Sequence, residues 1–103
     1  MNFGLKQRDI DNIQNALAQF PEIEQALVFG SRAKGNSKPG SDVDLAVKGN
    51  KVTPETIAGL RVILNDMPLP YFFDVIDYKA IENKDLTDHI DRVAKKIYSK
   101  IGL

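Results

Sequence analysis

Between Asp42 and Lys48 the side chains alternate: Val43, Leu45 and Val47 are apolar, whereas Asp42, Asp44 and Ala46 fall between them. A period of two puts successive side chains on opposite faces, so this segment reads as a half-buried strand with its aspartates on the uncovered side. A strand of this kind belongs to a small sheet covered by helices on one face only, because a sheet covered on both faces reads apolar throughout. The acidic face is then open for chemistry.

The rest of the chain fits around that strand. Ile10, Ile13, Leu17 and Phe20 recur at helical spacing, and Pro21 stops the helix. Ala26 to Phe29 is a short apolar run ending at Gly30, which predicts a buried strand. Gly30 to Ser41 is rich in Gly, Ser and Lys and reads as a loop with room for a helical turn. Thr53 and Pro54 start a helix as N-cap and first residue; its stripe is Ile57, Leu60, Leu64 and Met67, and Pro68 and Pro70 end it. Tyr71 to Asp77 predicts a third strand. Asp85 is expected to cap a last helix with the stripe Leu86, Ile90, Val93, Ile97 and Ile101, its lysines 95, 96 and 100 near the C-terminal end.

With 103 residues, the sequence predicts a single domain over residues 1–103, with a modest core that makes self-association an expectation to test. The formal net charge of +0 and pI near 6.6 argue against a large polyanion footprint, although a local basic patch can still hold phosphates. Cysteine is absent, which excludes disulfides and thiolate metal sites. Any metal would rest on oxygen ligands, which suit hard cations such as Mg²⁺. Met1 to Leu5 carries no signal-peptide core and no run is long and apolar enough to span a bilayer, so a cytoplasmic setting is expected.

Three aspartates are the candidate chemistry. Asp42 and Asp44 share one strand face with α-carbons roughly 6.6–6.8 Å apart. Like charges so close repel unless a cation sits between them or one is protonated. In the third strand Phe73 and Val75 read as the core face, so Asp74 points the other way and joins the pair if the two strands are neighbours. Three carboxylates on one face can hold one or two Mg²⁺ ions, which stabilise the attacking and leaving oxygens of a phosphoryl group. An Asp-x-Asp pair alone is most often solvated surface.

The segment before the pair changes that balance. Gly30-Ser31-Arg32-Ala33-Lys34-Gly35 follows a buried strand directly. Gly30 permits a sharp turn and a close phosphate approach, Ser31 offers a hydroxyl and an N–H, and Arg32 and Lys34 add positive charge. Gly30 to Ser37 also has the outer spacing of a P-loop. However, Asn36 stands where that motif needs lysine, and Lys38-Pro39-Gly40 follows where its helix should begin, which argues against a P-loop NTPase.

The set Phe29-Gly30-Ser31-Arg32-Ala33-Lys34-Gly35, then Ser41-Asp42-Val43-Asp44-Leu45, then Asp74 in an apolar strand resembles the minimal nucleotidyltransferases (MNT) of the DNA polymerase beta superfamily. Each part is weak and the combination specific. The resemblance implies an α/β (α+β) polymerase-beta palm with a small mixed sheet. It also implies metal-dependent transfer of a nucleoside monophosphate, by default AMP from ATP, to an acceptor hydroxyl. Carried over by residue, Gly30 and Ser31 match the positions that hold the triphosphate, with Arg32 and Lys34 in the basic turn. Asp42 and Asp44 match the metal ligands, and Asp74 the third carboxylate, which completes the metal site and can act as base. Ser41 matches a serine that fixes the loop. The family further implies a separate HEPN-type helical partner, for which the transferase is the antitoxin. Nucleic acid as acceptor stays open.

Other residues are read as structural. Asp77, three positions after Asp74, faces the opposite way; His89 reads as a surface or packed helical residue; and Phe72, on the aspartate face, reads as hydrophobic cover. The competing function is a non-catalytic module that binds and neutralises a helical partner. That function needs exposed apolar surface, for which Leu69-Pro70-Tyr71 and the outer side of the last helix are candidates.

Overall fold

The alternation in Val43–Lys48 folds as expected: Val43, Leu45 and Val47 are buried in one layer, while Asp44 and Ala46 turn to the other side. The structure, a computed structural model, describes residues 3–35 and 42–100. In chain order it contains α1 (Gln7–Ala18), β1 (Gln25–Phe29), the single turn α2 (Ser31–Lys34), β2 (Val43–Lys48), α3 (Pro54–Asp66), β3 (Phe73–Asp77), a 3-10 turn (Tyr78–Ala80), α4 (Lys84–Val93) and β4 (Lys95–Ser99). Ser41 lies outside the described residues, as does the rest of the loop before β2 beyond Gly35.

The strands form one mixed sheet in the order β3-β2-β1-β4. β1 is antiparallel to β2 and to β4, and β2 is parallel to β3. Parallel neighbours need a crossover, and α3 supplies it. Its start is secured by Thr53, whose hydroxyl accepts from the Thr56 N–H while Thr56 answers the Thr53 N–H, with Pro54 in the first turn. The main core lies between the sheet and α1 and α3, where Ile13, Leu17, Leu60 and Leu64 meet Val28, Leu45 and Val75.

Both sheet edges are occupied by helix side chains. On β3 the Asn65 carboxamide accepts from the Phe73 N–H at 2.9 Å and donates to the Phe73 carbonyl at 3.2 Å, and Arg61 donates to the Val75 carbonyl at 2.8 Å. On β4, Gln14 donates to the Ile97 carbonyl at 2.8 Å. These bonds satisfy groups that would otherwise template another strand.

The structure corrects four expectations. The last helix stops at Val93, and Lys95–Ser99 forms a fourth strand. The break is at Ala94, whose backbone is extended (φ −66°, ψ 149°), and the strand supplies β1 with its second neighbour. Asn83, not Asp85, caps α4: its side chain accepts from the N–H groups of Asp85 and Leu86. Helices do not cover one face only. α1 and α3 do, but Ile90 of α4 is buried on the other face against Phe29 and Ala46, because that face is apolar wherever it lacks aspartates. Finally, Leu69 and Tyr71 are partly buried against the main core, and the outer side of α4 carries Lys84, Asp85, Asp88, Asp91 and Arg92.

Candidate functional site

β1 ends at Phe29, and the chain turns through Gly30 at φ 74° and ψ −150°, a conformation essentially reserved for glycine. The turn is tight because it must clear a side chain: a Cβ at position 30 would stand 2.6 Å from Oδ2 of Asp44. Ser31 follows, exposed, as the first residue of α2, and Lys34 closes that turn with its N–H donated to the Gly30 carbonyl at 3.2 Å.

Register brings the carboxylates together. Phe29 pairs with Asp44, and Asp44 pairs with Asp74, so the glycine turn and two aspartates span three adjacent strands at one level of the sheet. Neighbouring strands lie about 4.8 Å apart. Asp42, exposed just before β2, continues the same face. Burial first, then the charge of Asp74, then that of Asp42, pushes the Asp44 carboxyl above its ordinary value. Asp74 is exposed on the face opposite the main core.

Among the described residues no three His, Cys, Asp or Glu side chains form a ready-made cage for an ion. Asp42, Asp44 and Asp74, expected to hold an ion together, are therefore not gathered into such a cage, whereas Mg²⁺ as a rule takes only one or two carboxylates and completes its shell with water and substrate phosphates. The donor set fits: hard carboxylate oxygens, and mutual repulsion at Asp44 that a cation would relieve.

Two basic residues of the turn part company. Lys34 is exposed. Arg32 is only 2% exposed and turns away from the turn's outer surface: it donates to the Phe3 carbonyl at 2.9 Å and its guanidinium lies 4.9 Å from the Tyr71 ring centroid. The Tyr71 hydroxyl donates to the buried Asp9 at 3.1 Å, and Arg8 Nε stands 3.6 Å from the other Asp9 oxygen. Burial, then the bond to Asp9, pushes the Tyr71 phenol above its ordinary value. Arg32 thus ties α2 to the N-terminal segment and to the approach to β3, a placement at odds with a direct phosphate contact. The part played by Asp9 was not legible, because a carboxylate in a first helical turn is usually only favourable charge at the helix end.

Of the residues read as structural, Asp77 and His89 are held by neighbours, whereas Phe72 is not the cover expected of it. Asp77 accepts from the N–H of Lys79 at 3.2 Å and pairs with its ammonium at 2.7 Å. His89 meets Phe29 edge-on, ring centroids 6.3 Å apart. Phe72 is 69% exposed.

The arrangement joins an anion-accessible turn to carboxylates able to share a cation, which is what transfer of a phosphorus-centred group requires. The comparisons with known proteins agree. Residues 11–101 match the family model described as polymerase beta, nucleotidyltransferase. No match is found among curated proteins. Among solved structures, similarity extends to a chain of a toxin–antitoxin crystallised with AMP-PNP (TM-score 0.71, 20% identity, 93% of this chain and 75% of that one). It extends also to the toxin–antitoxin MntA-HepT (0.70, 18%, 93% and 74%). A third is a chain of the structure described as tri-AMPylated Shewanella oneidensis HEPN toxin in complex with MNT antitoxin (0.69, 18%, 92% and 73%).

Proposed function

Because the chain belongs to the polymerase beta nucleotidyltransferase family, we propose that it transfers AMP from ATP to a hydroxyl of a HEPN-type helical protein, as the antitoxin member of such a pair. The observation that carries this reading is the Gly30 turn pressed against Asp44, with Asp74 paired to Asp44 on the next strand.

The triphosphate lies along the Gly30-Ser31 turn, where backbone N–H groups and the Ser31 hydroxyl bind its oxygens and Lys34 adds charge. Asp42 and Asp44 would hold magnesium, with Asp74 beside them on the neighbouring strand. Bound Mg²⁺ would neutralise phosphate charge and polarise the α-phosphoryl group. The acceptor hydroxyl attacks the α-phosphorus in line. An oxygen–phosphorus bond forms, the bond to the bridging oxygen breaks, pyrophosphate leaves, and Asp74 accepts the hydroxyl proton. A reaction fed by ATP fits a cytoplasmic setting. Among the described residues no helix is long and apolar enough to cross a membrane.

The test is incorporation of α-labelled ATP into a HEPN-type protein with Mg²⁺ present. Incorporation that disappears in the Asp42→Asn, Asp44→Asn double variant supports the reading. Incorporation that survives in that variant removes the aspartates from the reaction.

A further inference from the structure

The two sides of the aspartate cluster are not equivalent. On one side stands the β1 turn with Gly30, exposed Ser31 and exposed Lys34; on the other stands β3, the edge strand of the sheet. Anionic phosphates are drawn to the first side. An acceptor in line with the leaving pyrophosphate must then arrive from the opposite one, over β3.

What β3 presents there is unusual. The Val43 N–H donates to the Phe72 carbonyl at 2.9 Å, one of the bonds that set Val43 opposite Phe73, so Phe72 and Asp42 each stand immediately before the first paired residue of their strand. Two residues on, Asp74 shares its face. Phe72 is one of two large hydrophobic side chains left exposed among the described residues, the other being Val62 on α3. Ile76, next on this face, packs into the smaller core. Phe72, Asp74 and Ile76 include no cation, so this side of the site offers nothing to a polyphosphate backbone and an apolar ring to whatever carries the hydroxyl.

Resting on the transferase reading, we propose that Phe72 is the acceptor-contacting residue of the site: its ring packs against the protein segment around the hydroxyl and sets which acceptor is used. The nucleotide needs no contact with it. The β3 edge is already partly occupied, since Asn65 bonds both outward backbone groups of Phe73 and Arg61 bonds the Val75 carbonyl.

The experiment measures transfer from α-labelled ATP to a HEPN-type helical protein, varying the protein and ATP separately, for the wild type, Phe72→Ala and Phe72→Tyr. Burial of an aromatic ring predicts a KM for the protein acceptor about tenfold higher in Phe72→Ala, with KM for ATP unchanged and recovery in Phe72→Tyr. The side chain is exposed, so the thermal midpoint should not move. An unchanged acceptor KM, an equal rise in KM for ATP, or preferential transfer to an RNA 3′ end would overturn the assignment while leaving the transferase intact. A wild type that transfers to neither acceptor overturns the transferase reading itself and this assignment with it.

Discussion

Gly30 and Asp44 adjoin so closely that residue 30 has no room for a Cβ: that atom would stand 2.6 Å from the Asp44 carboxylate oxygen. The positive φ of 74° independently excludes a side chain there. Gly30→Ala should cost about 1–3 kcal/mol of stability through backbone strain alone and displace Asp44 as well. Urea unfolding reads the first effect and nucleotide uptake the second; a variant matching the wild type in both would show that the close approach does not matter.

The Asp44 carboxyl is raised by burial and by Asp74 and Asp42. A folded-state value above the unfolded one means that folding favours the protonated form. The resulting penalty is absent in acid. It grows as pH climbs through and above the ordinary carboxylate range, and it persists at neutral pH. Asp44→Asn should therefore melt higher than the wild type at pH 7, with the gap closing as pH falls. Thermal scans across pH check this. The same substitution should abolish transfer, so stability and activity move in opposite directions.

Arg32 and Lys34 should separate cleanly. Arg32→Ala removes a buried charged hydrogen bond to Phe3 and the stacking on Tyr71, and should cost about 2–4 kcal/mol in denaturant unfolding. Lys34, being exposed, should leave stability within about 0.5 kcal/mol when changed to alanine. Equal effects would contradict the placement of Arg32.

The pairing of Asp44 with Asp74 was legible in the sequence because strand period and side-chain type carry the same message at both positions. The Gly30 turn was legible because an apolar run ends on a glycine. β4 was not. Leu86, Ile90, Val93, Ile97 and Ile101 all keep helical spacing, and nothing local marks the extended backbone at Ala94. A non-local signal did exist. β1, with Ala26 and Val28 buried on one face and Phe29 on the other, is a central strand and needs a partner on each side. Arg32 misled for a related reason: a cation in a phosphate-type turn reads as a ligand until Phe3 and Tyr71, distant in sequence, are seen to hold it.

Asn65 makes both hydrogen bonds that a neighbouring strand would make to Phe73. Asn65→Ala should cost about 1–3 kcal/mol, because two backbone groups lose their partner. It should also promote self-association by opening the edge of β3. Unfolding together with size-exclusion chromatography tests both effects; a monomer of unchanged stability would contradict this role.

The account turns on whether Asp42 and Asp44 take up nucleotide together with metal. Calorimetric titration of AMP-PNP into the wild type and into the Asp42→Asn, Asp44→Asn double variant, with and without Mg²⁺, tests this most directly. Saturable binding that needs Mg²⁺ and vanishes in the double variant is the predicted result. Binding of equal strength in all four titrations would contradict it.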